Sequence, residues 1–123
     1  MARVIALVPD LLFGSNVQGS LAAAGHEVQL TGDPQAARTG LGTADVLVVD
    51  LATDTIDGAA LVASLREAGE LGRTRTLGFY SHVDVETRER ALAAGFDQVV
   101  PRSRMNREGA ALVSALAPGS AGA

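Results

Sequence analysis

Five short apolar runs alternate with longer stretches of helical character along the 123 residues of the chain. Each run has four to seven residues, the length of a β-strand, and several of the helical stretches close at a glycine. The predicted strands are 3–8, 26–31, 44–50, 75–80 and 98–101, and the predicted helices are 10–24, 34–39, 58–68, 84–94 and 106–116. Because parallel strands need long crossovers rather than tight hairpins, this alternation favours an α/β fold with a parallel sheet.

The five strand–helix units predict a flavodoxin-like, three-layer αβα sandwich whose five-stranded parallel sheet has the order 2-1-3-4-5. That order follows from right-handed crossovers with helices on both faces of the sheet. The strand 44–50 is nearly all apolar, as a central strand is, whereas the strand 26–31 alternates polar and apolar residues, as an edge strand does. We expect one domain over residues 1–117 and a flexible C-terminal tail over 118–123.

Composition narrows the classes of function. All ten basic residues are arginines, they are scattered along the chain, and the net charge is −4, so we expect no binding to nucleic acid. The absence of cysteine excludes disulfides and thiolate metal sites. No apolar run approaches the roughly 18 residues of a membrane span, and the start of the sequence lacks the apolar core of a signal peptide. We expect a soluble, cytoplasmic protein without a membrane contact.

Polar residues follow the carboxyl ends of the predicted strands. In open α/β sheets, ligands bind beyond these ends, at the point where the connections from strands one and three diverge. The residues placed there are Asp10, Asp50, Tyr80, Ser81, His82 and Arg102. They form the predicted pocket, and Asp10 and Asp50 are its candidate metal ligands because carboxylate oxygens suit Mg²⁺.

The spacing around Asp50 resembles that of a known family. Asp50 is followed seven residues later by Asp57-Gly58, and Ala93-Ala94-Gly95-Phe96-Asp97 leads into the fifth strand. Over residues 3 to 117 this pattern resembles the receiver domain of bacterial response regulators (CheY-like). The resemblance implies that Asp50 occupies the phosphoacceptor position.

Four positions depart from the family pattern. Arg102 falls where the family has a lysine, and a planar guanidinium would not reproduce the contact of a compact ammonium with a phosphoryl group. Tyr80 falls where the family has threonine or serine, and Val99 replaces an aromatic that moves on activation. The family's acidic pair after strand one, which helps to hold Mg²⁺, corresponds to Val8-Pro9-Asp10. Asp50 is then expected to accept hydrogen bonds from Arg102 or from backbone amides.

The resemblance and its departures together suggest a stand-alone, atypical receiver-like domain, a pseudo-receiver, acting in bacterial signal transduction without enzymatic activity of its own. It would need no cofactor, Mg²⁺ being doubtful, and would bind a protein partner or a second copy through the face formed by helix four, strand five and helix five. One alternative is a phosphorylatable receiver that uses Asp50 as phosphoacceptor. Another is a module that binds a nucleotide or other small ligand in the same pocket.

Two further patterns are interpreted as having no catalytic role. Ser81, His82 and Asp84 lie too close in sequence to converge as a catalytic triad, whose base approaches the nucleophile from elsewhere in the fold. His82 could instead sense pH or meet a phosphate or a partner, or it is an ordinary surface histidine. Asp57 is predicted to cap the helix that follows it.

Overall fold

Strands and helices alternate along residues 1–118, the part of the chain that the computed structural model describes. The strands are β1 (Arg3–Leu7), β2 (Glu27–Thr31), β3 (Val46–Asp50), β4 (Arg75–Tyr80) and β5 (Gln98–Pro101). The helices are α1 (Leu11–Ala23), α2 (Pro34–Gly40), α3 (Gly58–Glu67), α4 (Val85–Ala94) and α5 (Arg102–Leu116). A short 3₁₀ helix, Leu41–Thr43, leads towards β3. The predicted tail 118–123 lies outside the described residues except for Pro118.

The sheet has the order β2-β1-β3-β4-β5, and every neighbouring pair is parallel. Leu7 of β1 pairs with Val49 of β3, and Asp50 pairs with Phe79 of β4. The predicted α/β class, strand order and edge position of β2 are therefore confirmed. The point where the connections diverge lies between β1 and β3, and Asp50 stands at that point.

The core is divided into two layers by the sheet. Along β3, Val46 and Val48 belong to one cluster, and Leu47 and Val49 belong to the other, because successive strand residues point to opposite faces. The first layer is filled from α1 and α5, by Val17, Leu21, Met105, Leu112 and Val113. The second is filled from α2, α3 and α4, by Ala37, Val62, Leu65 and Ala91. This is the predicted three-layer sandwich.

Aspartates begin four of the helices. The side chains of Asp10, Asp33, Asp57 and Asp84 each accept a hydrogen bond from a backbone N–H in the first turn of α1, α2, α3 and α4. These bonds satisfy amide groups that have no partner within the helix. The predicted cap at Asp57 is confirmed, and Asp10 is both a cap and a residue of the predicted pocket.

Helix α5 begins earlier than predicted. The expected start was residue 106, but the helix runs from Arg102 to Leu116. Pro101 stands just before its first turn with φ −62°, and Met105 on that turn is buried in the core. The polar run around Met105 hid this turn from a reading of apolar periodicity. The consequence is that Arg102 is the first residue of a helix and not part of a loop.

His26 ties the start of the sheet to the end of α5. Its Nδ1 accepts the backbone N–H of Ala2 at 3.0 Å, and its Nε2 lies 3.1 Å from the hydroxyl of Ser114. With Nδ1 accepting, the ring proton is on Nε2 and Ser114 is the acceptor.

Among residues 1–118, no helix combines the length and the apolar character needed to cross a bilayer.

Candidate functional site

Three of the predicted pocket residues line one cleft at the carboxyl end of the sheet. Asp10, Asp50 and Arg102 come from the end of the β1–α1 loop, the end of β3 and the start of α5. The cleft has a volume of about 280 Å³, and its other lining residues are Pro9, Ala52, Thr53 and Thr55. We call it the Asp50 cleft.

Asp50 is a buried carboxylate held by the turn that follows it. Only 2% of the residue is exposed, and its Oδ1 accepts the backbone N–H of Ala52 at 2.8 Å. Burial raises the pKa of Asp50, and the hydrogen bond from Ala52 and the positive charge of Arg102 counteract this only in part. The site therefore holds a carboxyl group whose charged form is disfavoured by its surroundings.

Arg102 is bound to Asp10 and not to Asp50. Its Nη2 lies 3.2 Å from Oδ2 of Asp10, and its guanidinium carbon lies 4.1 Å from the centre of the Phe13 ring. The Phe13 ring lies 4.9 Å from that of Phe79 in the core. The expected hydrogen bonding of Asp50 to a backbone amide is thus observed, whereas the ion pair of Arg102 is made with the neighbouring carboxylate.

Asp10 is engaged on both oxygens. Oδ1 accepts the N–H of Phe13 at 3.0 Å as the cap of α1, while Oδ2 faces Arg102. The N–H of Phe13 and, secondarily, Arg102 hold the pKa of Asp10 below its usual value. Asp10, Arg102 and Phe13 form a connected group, the Asp10–Arg102–Phe13 cluster, at one side of the Asp50 cleft.

The cleft is a poor match for a magnesium ion of the family type. Mg²⁺ requires near-octahedral oxygen ligands, and the family supplies three carboxylates. Continuing the register of Leu7 with Val49 places Val8, a buried apolar residue, beside Asp50. Within residues 1–118, no three acidic or histidine side chains are grouped as metal ligands. An ion at Asp10 would compete with Arg102 for that carboxylate.

The other predicted pocket residues lie away from the Asp50 cleft. Tyr80 is 8% exposed and packs with Ala91 and Phe96 in the core layer on the α3–α4 side. Asp50 pairs with Phe79, so Tyr80 is one residue out of phase with it and points to the opposite face. Ser81 and the exposed His82 lie in the turn after β4, outside the lining of the cleft.

The loop that follows Asp50 is tied to α4. Asp57 caps α3 and also accepts from Nη2 of Arg90 at 2.6 Å. That ion pair lowers the pKa of Asp57 and raises the pKa of Arg90. The hydroxyls of Thr53 and Thr55 lie 3.0 Å apart in the same loop. The loop that supplies Thr53 and Thr55 to the Asp50 cleft therefore ends at a residue that is bound to α4.

Phe13 was missed from the sequence. It lies three residues after the capping Asp10, a position on the first turn of α1 that faces back towards the cap. The available sequence signal was an aromatic residue, Phe13, three positions after a capping aspartate. It was accompanied by an arginine, Arg102, that follows the fifth strand and had no assigned partner. Recognising it required knowing that Arg102 begins α5.

Solved receiver domains share this architecture. The receiver domain of the Francisella response regulator 1452 has a TM-score of 0.80 and 19% identity, covering 94% of this chain and 96% of that one. The chemotaxis protein CheY4 of Vibrio cholerae has a TM-score of 0.79 and 20% identity, with 94% and 98% covered. The receiver domain of NarL from Mycobacterium tuberculosis has a TM-score of 0.74 and 23% identity, with 94% and 95% covered.

These comparisons confirm the predicted resemblance at the level of the fold. No protein-family model matches the sequence, and no curated protein matches it. At the identities found, the likeness establishes a receiver fold and leaves the activity to be argued from the residues of the site.

Proposed function

We propose that this chain is an atypical receiver-like module of bacterial signal transduction that acts by binding a partner protein in the cytoplasm. Its output would not depend on a Mg²⁺-dependent aspartyl phosphate. The receiver fold supports the signalling role. The observation that carries the atypical character is the commitment of Arg102 to Asp10 and Phe13.

The chemistry of phosphoryl transfer supports this proposal. The transferred group carries negative charge on its equatorial oxygens, and catalysis consists largely of positioning and neutralising that charge. In the Asp50 cleft, the one arginine is paired and stacked, the position beside Asp50 is the apolar Val8, and Asp10 is already engaged. Asp50 itself is buried, and this burial raises its pKa.

The proposed partner surface is the face formed by α4, β5 and α5. Helix α4 buries Ala91 alone and leaves Val85 and Leu92 exposed, at 57% and 42%. Exposed arginines accompany them on α4 and α5, namely Arg88, Arg90, Arg104 and Arg107. Apolar side chains among arginines are typical of interface centres, since arginine and large apolar groups are enriched there. The occupant would be a signalling protein or a second copy of this chain.

A phosphorylatable receiver is the second candidate, and one observation favours it. Asp50 stands at the carboxyl end of the central strand and opens on a cleft of about 280 Å³, room enough for a small anion. In that case a phosphoryl donor and Mg²⁺ would produce an adduct on Asp50.

Incubation with beryllofluoride and Mg²⁺, followed by ¹⁹F NMR, separates the two candidates. We expect no bound signal for the wild type. A signal from the wild type that is lost in Asp50→Ala would refute the atypical function. A receiver-domain protein with the full family motif, run in parallel, verifies the conditions.

A further inference from the structure

A second cleft opens at the amino end of the sheet, opposite the Asp50 cleft. It has a volume of about 410 Å³ and lies between the end of α3, the start of β4 and the end of α5. Three arginines line it, Arg66, Arg73 and Arg75, and Asp97 is the only acidic residue among its lining residues. We call it the arginine cleft. None of its residues takes part in the function proposed above.

The turn that carries Arg73 is held in place by Thr74. The backbone N–H of Thr74 donates to the carbonyl of Leu71 at 2.8 Å, and the buried hydroxyl of Thr74 donates to the carbonyl of Ala44 at 2.8 Å. Gly72 has φ +55°, a conformation that favours glycine. Arg73 is therefore presented at the cleft by a fixed turn, which reduces the entropy lost when a ligand binds.

The single carboxylate of the cleft is already shared. Oδ2 of Asp97 accepts the backbone N–H of Thr76 at 2.7 Å and the Thr76 hydroxyl at 3.1 Å. Arg66 and Arg75 approach Asp97 at 3.5 and 3.4 Å, which is longer than a charge-assisted hydrogen bond of about 2.7–2.9 Å. Arg66 also donates to the carbonyl of Gly95 at 2.7 Å. Most guanidinium N–H groups thus remain available, since each has five.

The charges of the cleft do not balance. Within residues 1–118, no carboxylate lies within ion-pair distance of Arg73, while Arg66 and Arg75 divide one aspartate between them. Three positive groups around one negative group repel one another unless an anion joins them. A single arginine near the carboxyl end of a helix stabilises that helix through its dipole, but this role does not account for three arginines around one cavity.

We propose that the arginine cleft binds a small ligand that carries two or more linked phosphate groups. The guanidinium fork matches phosphate oxygens in bidentate geometry. A volume of about 410 Å³ is within the usual range of small-molecule sites. Leu116 gives the cleft an apolar wall against which a non-phosphate part of the ligand packs.

Isothermal titration calorimetry with inorganic tripolyphosphate tests the proposal on the full chain. The buffer contains EDTA, so that no metal can recruit the probe to the carboxylates of the Asp50 cleft. We expect one site per chain, and Arg73→Ala should weaken binding about tenfold or more, as expected for loss of a hydrogen bond to a charged group. Arg107→Ala, which removes the same charge from an exposed position on α5, should leave the dissociation constant within twofold. Thermal melting confirms that both variants fold.

Three results of the binding measurements would overturn the site. The first is equal affinity of the wild type and Arg73→Ala. The second is an equal loss in Arg107→Ala, which would mean unspecific attraction to the surface. The third is binding of an oligoglutamate peptide without binding of tripolyphosphate, which would assign the cleft to a protein segment. Amide shifts in a ¹⁵N spectrum should cluster at residues 72–75 and 97, and a cluster around residues 50–55 would equally refute the proposal.

Discussion

Replacing Asp50 by asparagine should stabilise the fold. The amide oxygen of asparagine can still accept the N–H of Ala52, which lies 2.8 Å from the present carboxylate. The substitution removes a charge whose burial outweighs the attraction of Arg102, because the net effect of the site is to raise the pKa of Asp50. The gain should be on the order of 1 kcal/mol, the scale found when a destabilised functional site is relieved.

The pH dependence gives this prediction its sign. Because folding raises this pKa, the folded chain keeps a proton that the unfolded chain has lost at pH values between the two pKa values. Wild-type stability therefore falls as the pH rises through that window. The advantage of Asp50→Asn should be full above the raised pKa and should vanish below the unfolded value of about 3.9.

Urea unfolding at several pH values measures the effect, and the midpoint of thermal unfolding should rise by about 4 °C at pH 7. Asp50→Ala is the control, since it removes the charge and also the acceptor for Ala52, at a cost of about 1 kcal/mol. It should be less stable than Asp50→Asn. An asparagine variant that is less stable than the wild type at pH 7, or a gain that persists unchanged to pH 3, would refute the reasoning.

Three further substitutions test individual contacts that the structure shows. Arg102→Ala should lower the free energy of unfolding in urea by about 1 kcal/mol, because it removes the cation–π contact with Phe13 and the ion pair with Asp10. The control Arg104→Ala, at an exposed position of the same helix, should change that free energy by less than about 0.5 kcal/mol. Gly78→Ala should cost roughly 1–3 kcal/mol, because a Cβ there would lie 2.6 Å from Cδ1 of Leu51, and an unchanged melting midpoint would contradict this. His26→Ala should lower the free energy of unfolding by about 1–3 kcal/mol, because it leaves the buried backbone N–H of Ala2 without its acceptor. The specific measurement is hydrogen exchange at the amide of Ala2, which should become faster. Unaltered exchange at that amide would count against the prediction.

The fold could be predicted because its determinants are periodic. Each strand of the sheet is a short apolar run, and the aspartates at 33 and 57 mark helix starts through the chemistry of their own side chains. Strand order then followed from the handedness of crossovers. The alternation of polar and apolar residues in β2 indicates a strand with one face less covered, as at the edge of the sheet, where β2 lies.

The details of the site could not be predicted because they depend on which face of the sheet each strand residue points to, and on the residue at which α5 begins. Tyr80 and Ser81 lie at the correct end of β4, but the register of Asp50 with Phe79 turns Tyr80 to the other face. The four residues 102–105 form the first turn of α5, and Arg102 at its start pairs with Asp10. Their polar sequence carries no periodic signal, and only the burial of Met105 reveals the turn.

The two ends of the sheet distribute charge in opposite ways. At the carboxyl end, Asp10 and Arg102 neutralise each other within 3.2 Å, which leaves the charge of Asp50 as the excess. At the amino end, three arginines and the single carboxylate of Asp97 line one cleft, and the excess is positive. A phosphate approaching the first end meets a carboxylate and an arginine that is already paired. A phosphate approaching the second end meets three arginines, one of them, Arg73, carried by the turn that Thr74 holds. The electrostatics of this chain therefore favour the proposed phosphate ligand at the end of the sheet remote from Asp50.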